Sequence, residues 1–274
     1  MLRLMWADMY RIMRGKGIYI TFALLVSLAV LTVFVVGAAM QVGVVMQYEV
    51  AATEGYDVEH FNPFMQQEVI TGARAAQMSL VSMDVLIYFF LPLIVIVAMS
   101  PFSSSAVKNE LTIGISRVRF YFSKLMLSSI LSVAFMVVYV LLFVVFGTIR
   151  DGFGNWGGGL GIEVLQAFAA HMLFALAFNS VGMFFCFVVR RAGATEGLYI
   201  AFALAPQIVI ALLMIAFPEA IRALYFDLGS LFGMFAQVST MYTVEIVRGL
   251  LVGLAWLVVP TMAGIALFQK ADIK

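Results

Sequence analysis

The chain has 274 residues, of which 64% are hydrophobic and 11% charged, with a formal net charge of +1. A soluble domain carries about 45–50% apolar and ~25% charged residues, so an ordinary water-surrounded enzyme is excluded. The near-neutral charge gives no bulk basic field for nucleic acid, and the single cysteine, Cys186, excludes disulfides and Cys-rich metal sites.

Residues 1–16 place Leu2, Met5, Trp6, Met9, Ile12 and Met13 at helical spacing, with Arg3, Asp8, Arg11 and Arg14 between them. This pattern predicts an amphipathic helix lying in the cytoplasmic interface, its basic residues near anionic headgroups. The alternative is an ordinary basic segment before a first span. The apolar run 17–40 follows. It is longer than a typical signal-peptide core and lacks an A-x-A-like site, so it is expected to remain as an anchor.

A bilayer core requires about 20 apolar residues of helix, and six stretches reach that length: 17–40, 85–106, 125–149, 164–189, 197–217 and 249–268. None contains Asp, Glu, Lys or Arg. The expected fold is an all-α membrane protein, residues 1–274 forming a single transmembrane domain. Pro92 and Pro206 are expected to kink the second and fifth spans. The small residues Gly197, Ala201, Ala203 and Ala205 suit close helix approach, and a dimer through the first and fifth spans is expected.

Direction follows from the basic residues. Segments 1–16, 107–124, 190–196 and 269–274 hold twelve of the sixteen Lys and Arg. The alternate segments hold only Arg74, Arg150, Arg222 and Arg248. Both termini are therefore expected in the cytoplasm. The first outer segment, 41–84, is acidic and is expected to contain a helix over roughly 64–82.

Segment 107–124, VKNELTIGISRVRFYFSK, is longer than a hairpin between two spans requires. Leu111, Ile113, Ile115 and Val118 offer apolar anchors; Glu110, Arg117, Arg119 and Lys124 offer charge. It is either an amphipathic helix that docks a soluble partner or a solvated basic loop that fixes topology. Segment 150–163 contains Gly152, Gly154 and Gly157 in the spacing G-x-G-x-x-G. A dinucleotide fingerprint needs a preceding strand in a βαβ unit, so a flexible turn is expected there. Segment 218–248 is apolar but broken by Gly229, Gly233, Ser and Thr, the composition of re-entrant or interfacial half-helices. Glu245 and Arg248, three residues apart, are expected to pair at the start of the last span.

Chemistry-bearing motifs are few. Lys16 follows Gly15, but Gly17 stands where a P-loop needs Ser or Thr, so this chain is not expected to hydrolyse ATP. His60 and His171 lie far apart and no His-Glu-x-x-His motif occurs, so no metal centre is expected. The serine run Ser103–Ser105 is read as bonding local carbonyls rather than as a nucleophile. His171, Asn179 and Gln207 are polar groups at membrane depth, where they face a bundle interior or a cavity. Each is read either as an interhelical hydrogen bond or as part of a substrate path. No carboxylate occupies a midplane position, unlike the usual ion-coupled carrier. Uphill movement of a solute would then draw its energy from another protein.

Three stretches together resemble the membrane subunits of ABC-2-type ABC transporters. The opening ADMYRIMRGKGIYI carries Asp8, Tyr10, Arg11 and Arg14 before the first span, with Asp8 where Glu is usual in the family. NELTIGISRVRFYFSKLMLSS carries Glu110, Ser116, Arg117 and Lys124, and the tail ALFQKADIK carries Phe268, Lys270, Asp272 and Ile273. The resemblance implies an elbow helix at the N-terminus, a coupling helix between spans two and three, and outward re-entrant helices before the last span. It also implies two such permease halves, a second copy or a homologue, with two separate ATPase subunits that bind ATP and Mg2+; this chain itself would hold no cofactor. The size of the chain is most similar to the peptide and drug-efflux or bacteriocin-immunity branch, exporting an antimicrobial or other amphipathic peptide or drug across a bacterial or archaeal cell membrane. The alternatives are an ion-coupled secondary transporter and a non-transporting assembly or sensor protein.

Overall fold

In the computed structural model residues 2–53, 70–103 and 114–271 are described, and among them the chain is helical without a strand. Helix is the expected outcome for spans surrounded by hydrocarbon, where backbone N–H and C=O groups find partners only within the segment. In chain order the helices are α1 (Leu2–Arg14), α2 (Lys16–Thr53), α3 (Gly72–Val81), α4 (Leu86–Ser103), α5 (Arg117–Asp151), α6 (Leu160–Val189), α7 (Ala192–Ala216), α8 (Leu228–Met234) and α9 (Thr243–Lys270). Short 3-10 segments precede α4 (Met83–Val85) and α6 (Gly157–Gly159) and lie on either side of α8 (Pro218–Phe226 and Phe235–Thr240).

Six helices, α2, α4, α5, α6, α7 and α9, are long and apolar enough to cross a membrane. They coincide with the six apolar runs and suggest a multi-pass membrane protein. The helices extend past the apolar runs because charged ends can still be helical when capped or paired. α5 begins at Arg117, not at residue 125: Ser116 caps it, its side-chain oxygen accepting from Arg119 N at 3.3 Å. α4, α7 and α9 run through Pro92, Pro206 and Pro260 without breaking.

α6 is the centre of the bundle. Its most apolar window is 61% buried, against 22%, 17% and 22% for α2, α7 and α9. α9 makes its close approaches through two glycines one helical turn apart, Gly253 against α6 and Gly249 against Leu231 of α8 and Phe235 just after it. A Cβ at Gly253 would lie 2.9 Å from the Phe174 ring on α6, and one at Gly249 would enter the ring of Phe235. This G-x-x-x-G pair is the small-residue signal that sequence reasoning missed. Of the small residues assigned to the fifth span, Gly197 faces open space and Ala203 is buried within the chain. Gly253→Leu is expected to overpack α9 against α6 and cost about 1–3 kcal/mol; an unchanged thermal unfolding midpoint in detergent would contradict this close approach.

The glycine-rich segment 152–159 receives the start of α3. The first N–H groups of a helix have no partner within it, and here Gly72 N donates to Gly152 O at 3.0 Å and Ala73 N to Phe153 O at 2.9 Å. Ile70 N donates to the Asp151 carboxylate at 2.9 Å. Gly154 has φ +76°, and a Cβ there would collide with Thr71, the cap of α3. The preceding element is helix α5 rather than a strand. The G-x-G-x-x-G run is therefore a docking turn for α3. Of the helix expected over 64–82, Gly72–Val81 is helical and residues 64–69 lie outside the described part.

Between α7 and α9 the chain makes three short helical pieces. Asp227 opens α8 by accepting from Ser230 N at 2.8 Å and Ser230 Oγ at 2.7 Å. Leu228, Leu231, Phe232 and Phe235 are buried, the two phenylalanines against Phe174 with ring centroids 5.8 and 5.0 Å away. The expected Glu245–Arg248 pair does not form. Glu245 is the third residue of α9, so its carboxylate reaches back to Tyr242 N at 3.1 Å and accepts from the Tyr225 hydroxyl at 3.2 Å.

Candidate functional site

Two contacts bring three distant stretches together at the end of the bundle that holds α1. Helical spacing puts Asp8 and Ile12 on the inward side of α1, while Trp6, Tyr10 and Met13 remain exposed. Asp8 Oδ2 meets Lys124 Nζ of α5 at 2.5 Å, with the lysine side chain fully buried and the aspartate 4% exposed. Arg11 Nη1 lies 3.7 Å from the other Asp8 oxygen, and the Lys124 ammonium lies 4.9 Å from the Phe120 ring centre. Two charges removed from water are tolerable only when each has partners, and this cluster supplies them. On the open side of α1, the Arg14 guanidinium stacks 4.4 Å over Tyr10. Tyr19 Oη donates to Met13 O at 2.8 Å and fixes the corner between α1 and α2.

The second contact joins the start of α5 to the end of α9. Arg117 Nη1 reaches Phe268 O at 2.9 Å, Gln269 O at 2.8 Å and Ala271 O at 2.7 Å, sharing its two protons among three carbonyls. These are final carbonyls of a helix, which lack intrahelical donors, and a cation there also complements the helix dipole. Beneath it, Phe268 stacks on Phe120 at 5.9 Å and meets Phe187 of α6 edge-on at 4.8 Å.

Ile115 is half-buried and packs against the bundle's own core, and Arg119 is exposed. Glu110 and Ile113 lie outside the described residues, as do Asp272 and Ile273.

The polar groups at depth do not gather into one path. Asn179 Nδ2 donates to Ser132 Oγ of α5 at 2.9 Å and to Ala175 O at 2.9 Å, so it links α6 to α5. The His171 ring is fully buried, with Nδ1 2.7 Å from Ala167 O and its edge against Phe232 at 5.1 Å. Gln207 is half-buried with its amide against Gly229, at the start of α8. Sequence reasoning missed two further polar ties. Ser180 bonds Thr261 Oγ1 and Leu257 O, each at 2.8 Å, between α6 and α9; Tyr199 Oη donates to Ile87 O at 3.1 Å between α7 and α4. Single Ser, Thr and Tyr residues in apolar runs were the available signal, but nothing local identifies their partners.

Fold and contacts together suggest a multi-pass membrane protein, all-helical among the described residues, in which the short helix α1 and the third and last spans are tied by charged side chains at one end. No protein-family model, curated protein or solved structure matches the chain.

Proposed function

We propose that this chain is the permease subunit of an ATP-driven exporter of the ABC-2 type, pairing with a second permease copy or homologue and with two ATPase subunits. The observation that carries the reading is the meeting of the motif-bearing stretches: Asp8 with Lys124, and Arg117 with the end of α9. An exporter driven by a separate ATPase must pass force from that subunit into its spans. A rigid end in which α1, α5 and α9 are clasped together suits that task.

In this reading α1 is the elbow helix, lying in the interface on Trp6, Tyr10 and Met13, the aromatic and basic composition such a helix needs. The chain around 107–119 is the coupling segment, with exposed Arg119 available to the ATPase. Both termini are cytoplasmic, in keeping with the distribution of Lys and Arg. The short helices of 218–240 are re-entrant from the outer side, with α8 and Phe235–Ala236 buried against the bundle, as irregular backbone at membrane depth requires, and Pro218–Phe226 lying more openly at the rim. The exported molecule is an amphipathic peptide or drug, and the setting is a bacterial or archaeal cell membrane.

The reconstituted chain alone is expected to hydrolyse no ATP and to move no solute on proton or sodium gradients. Ion-driven uptake by the isolated chain would replace this reading with that of a secondary carrier.

A further inference from the structure

A groove runs along the outward face of α9. On α9 it is lined by Val244, Val247, Leu251, Ala255 and Val259, spaced three or four residues apart so that they share one side of the helix. Phe226, Val252 and Trp256 complete its apolar wall, and its volume is about 780 Å³. The wall is held in place: Trp256 Nε1 donates to Phe226 O at 3.2 Å, and Phe202 packs edge-on against the indole at 5.0 Å.

Arg248 is the charged member of the lining. Its guanidinium stacks 5.2 Å over the Tyr225 ring, and no carboxylate among the described residues pairs with it. Glu245, the nearest acid on its own helix, is instead held by Tyr242 N and the Tyr225 hydroxyl. Stacking uses the face of a guanidinium and leaves its edge donors for an anion.

Depth selects the occupant. From Arg248 to Val259 the helix rises about 16 Å at ~1.5 Å per residue, and one leaflet of the hydrocarbon core is about 15 Å thick. Arg248 therefore stands at headgroup level when the apolar stripe beneath it spans one leaflet. We propose that this groove binds one acyl chain of an anionic glycerophospholipid whose phosphate is held by Arg248. An apolar chain alone leaves the cation without an anion, and a free phosphate leaves the groove empty. The inference stands on the membrane-spanning character of α9 and is independent of any ATPase partner.

The test uses the full chain with Trp6→Phe and Trp156→Phe, which leaves Trp256 as the sole tryptophan of the three. In phosphatidylcholine vesicles, brominated phosphatidylglycerol should quench Trp256 at about one-fifth the mole fraction needed for brominated phosphatidylcholine, the gain of one basic side chain beside an anionic lipid. Arg248→Gln should abolish the preference and Arg248→Lys retain part of it. Ala255→Phe, which fills the groove and leaves the cation in place, should also reduce it. Equal quenching of the parent protein by both lipids, or a preference that persists in Arg248→Gln, would overturn the proposal. So would efficient cross-linking of Leu251→Cys to a second copy in native membranes, which would assign the groove to a dimer.

Discussion

Lys124→Met should destabilise the bundle by about 3–5 kcal/mol, the cost of leaving a buried charge without its partner. Asp8 is 4% exposed, and after the substitution its nearest cation is Arg11 at 3.7 Å with a side chain 42% exposed. That pair is too open to water to replace the lysine. The expected route of failure is release of α1, so a cysteine at Met9, half-buried in the intact protein, should become reactive to a water-soluble maleimide. Replacing both partners, Asp8→Leu with Lys124→Met, should restore most of the stability, because a buried ion pair exchanged for apolar groups of similar size is often neutral. Unfolding in mixed micelles measures all three. A single variant as stable as the parent would mean that the pair is solvated.

Arg117→Gln should cost about 2 kcal/mol, within the range for hydrogen bonds made by a charged donor. It removes the cation that serves three carbonyls at the end of α9, and glutamine is too short to reach them all. Amide exchange should accelerate in the last turn of α9, around Leu267–Ala271, and stay unchanged near its start at Thr243. Arg117→Lys should be milder, since an ammonium keeps both the charge at the helix C-terminus and several donors. Unchanged exchange in that turn would show that Arg117 does not hold α9.

The six long helices were legible because their signal is local: some twenty apolar residues with no charge can be read from a window. What escaped was everything set by a distant partner. Lys124 looked like the loop residue before a span, because a lone lysine is costly at depth; it is buried because Asp8, 116 residues earlier, meets it. Arg117 looked like an outward-facing charge for a partner, yet its acceptors lie 151 to 154 residues away at the end of α9. Glu245 and Arg248 had the right spacing to pair, but the position of Glu245 in the first turn of α9 turned it toward Tyr242 N instead. The glycines of 152–157 read as a flexible turn, and their task became visible only once the free N–H groups of α3 were seen against them. Of the depth residues, Asn179 is an interhelical tie to Ser132. His171 and Gln207 have no partner in common with it.

The clasped end of α1, α5 and α9 is proposed to receive force from a separate ATPase, and that interaction can be measured directly. The full chain, tagged at a terminus and extracted gently from its own cells, should co-purify with an ATP-hydrolysing subunit in equal amount. Arg119→Glu, which reverses an exposed charge and leaves the Asp8–Lys124 and Arg117 contacts intact, should lower that recovery severalfold. Recovery of the intact chain with no ATP-hydrolysing partner, under conditions that preserve its fold, would contradict the account.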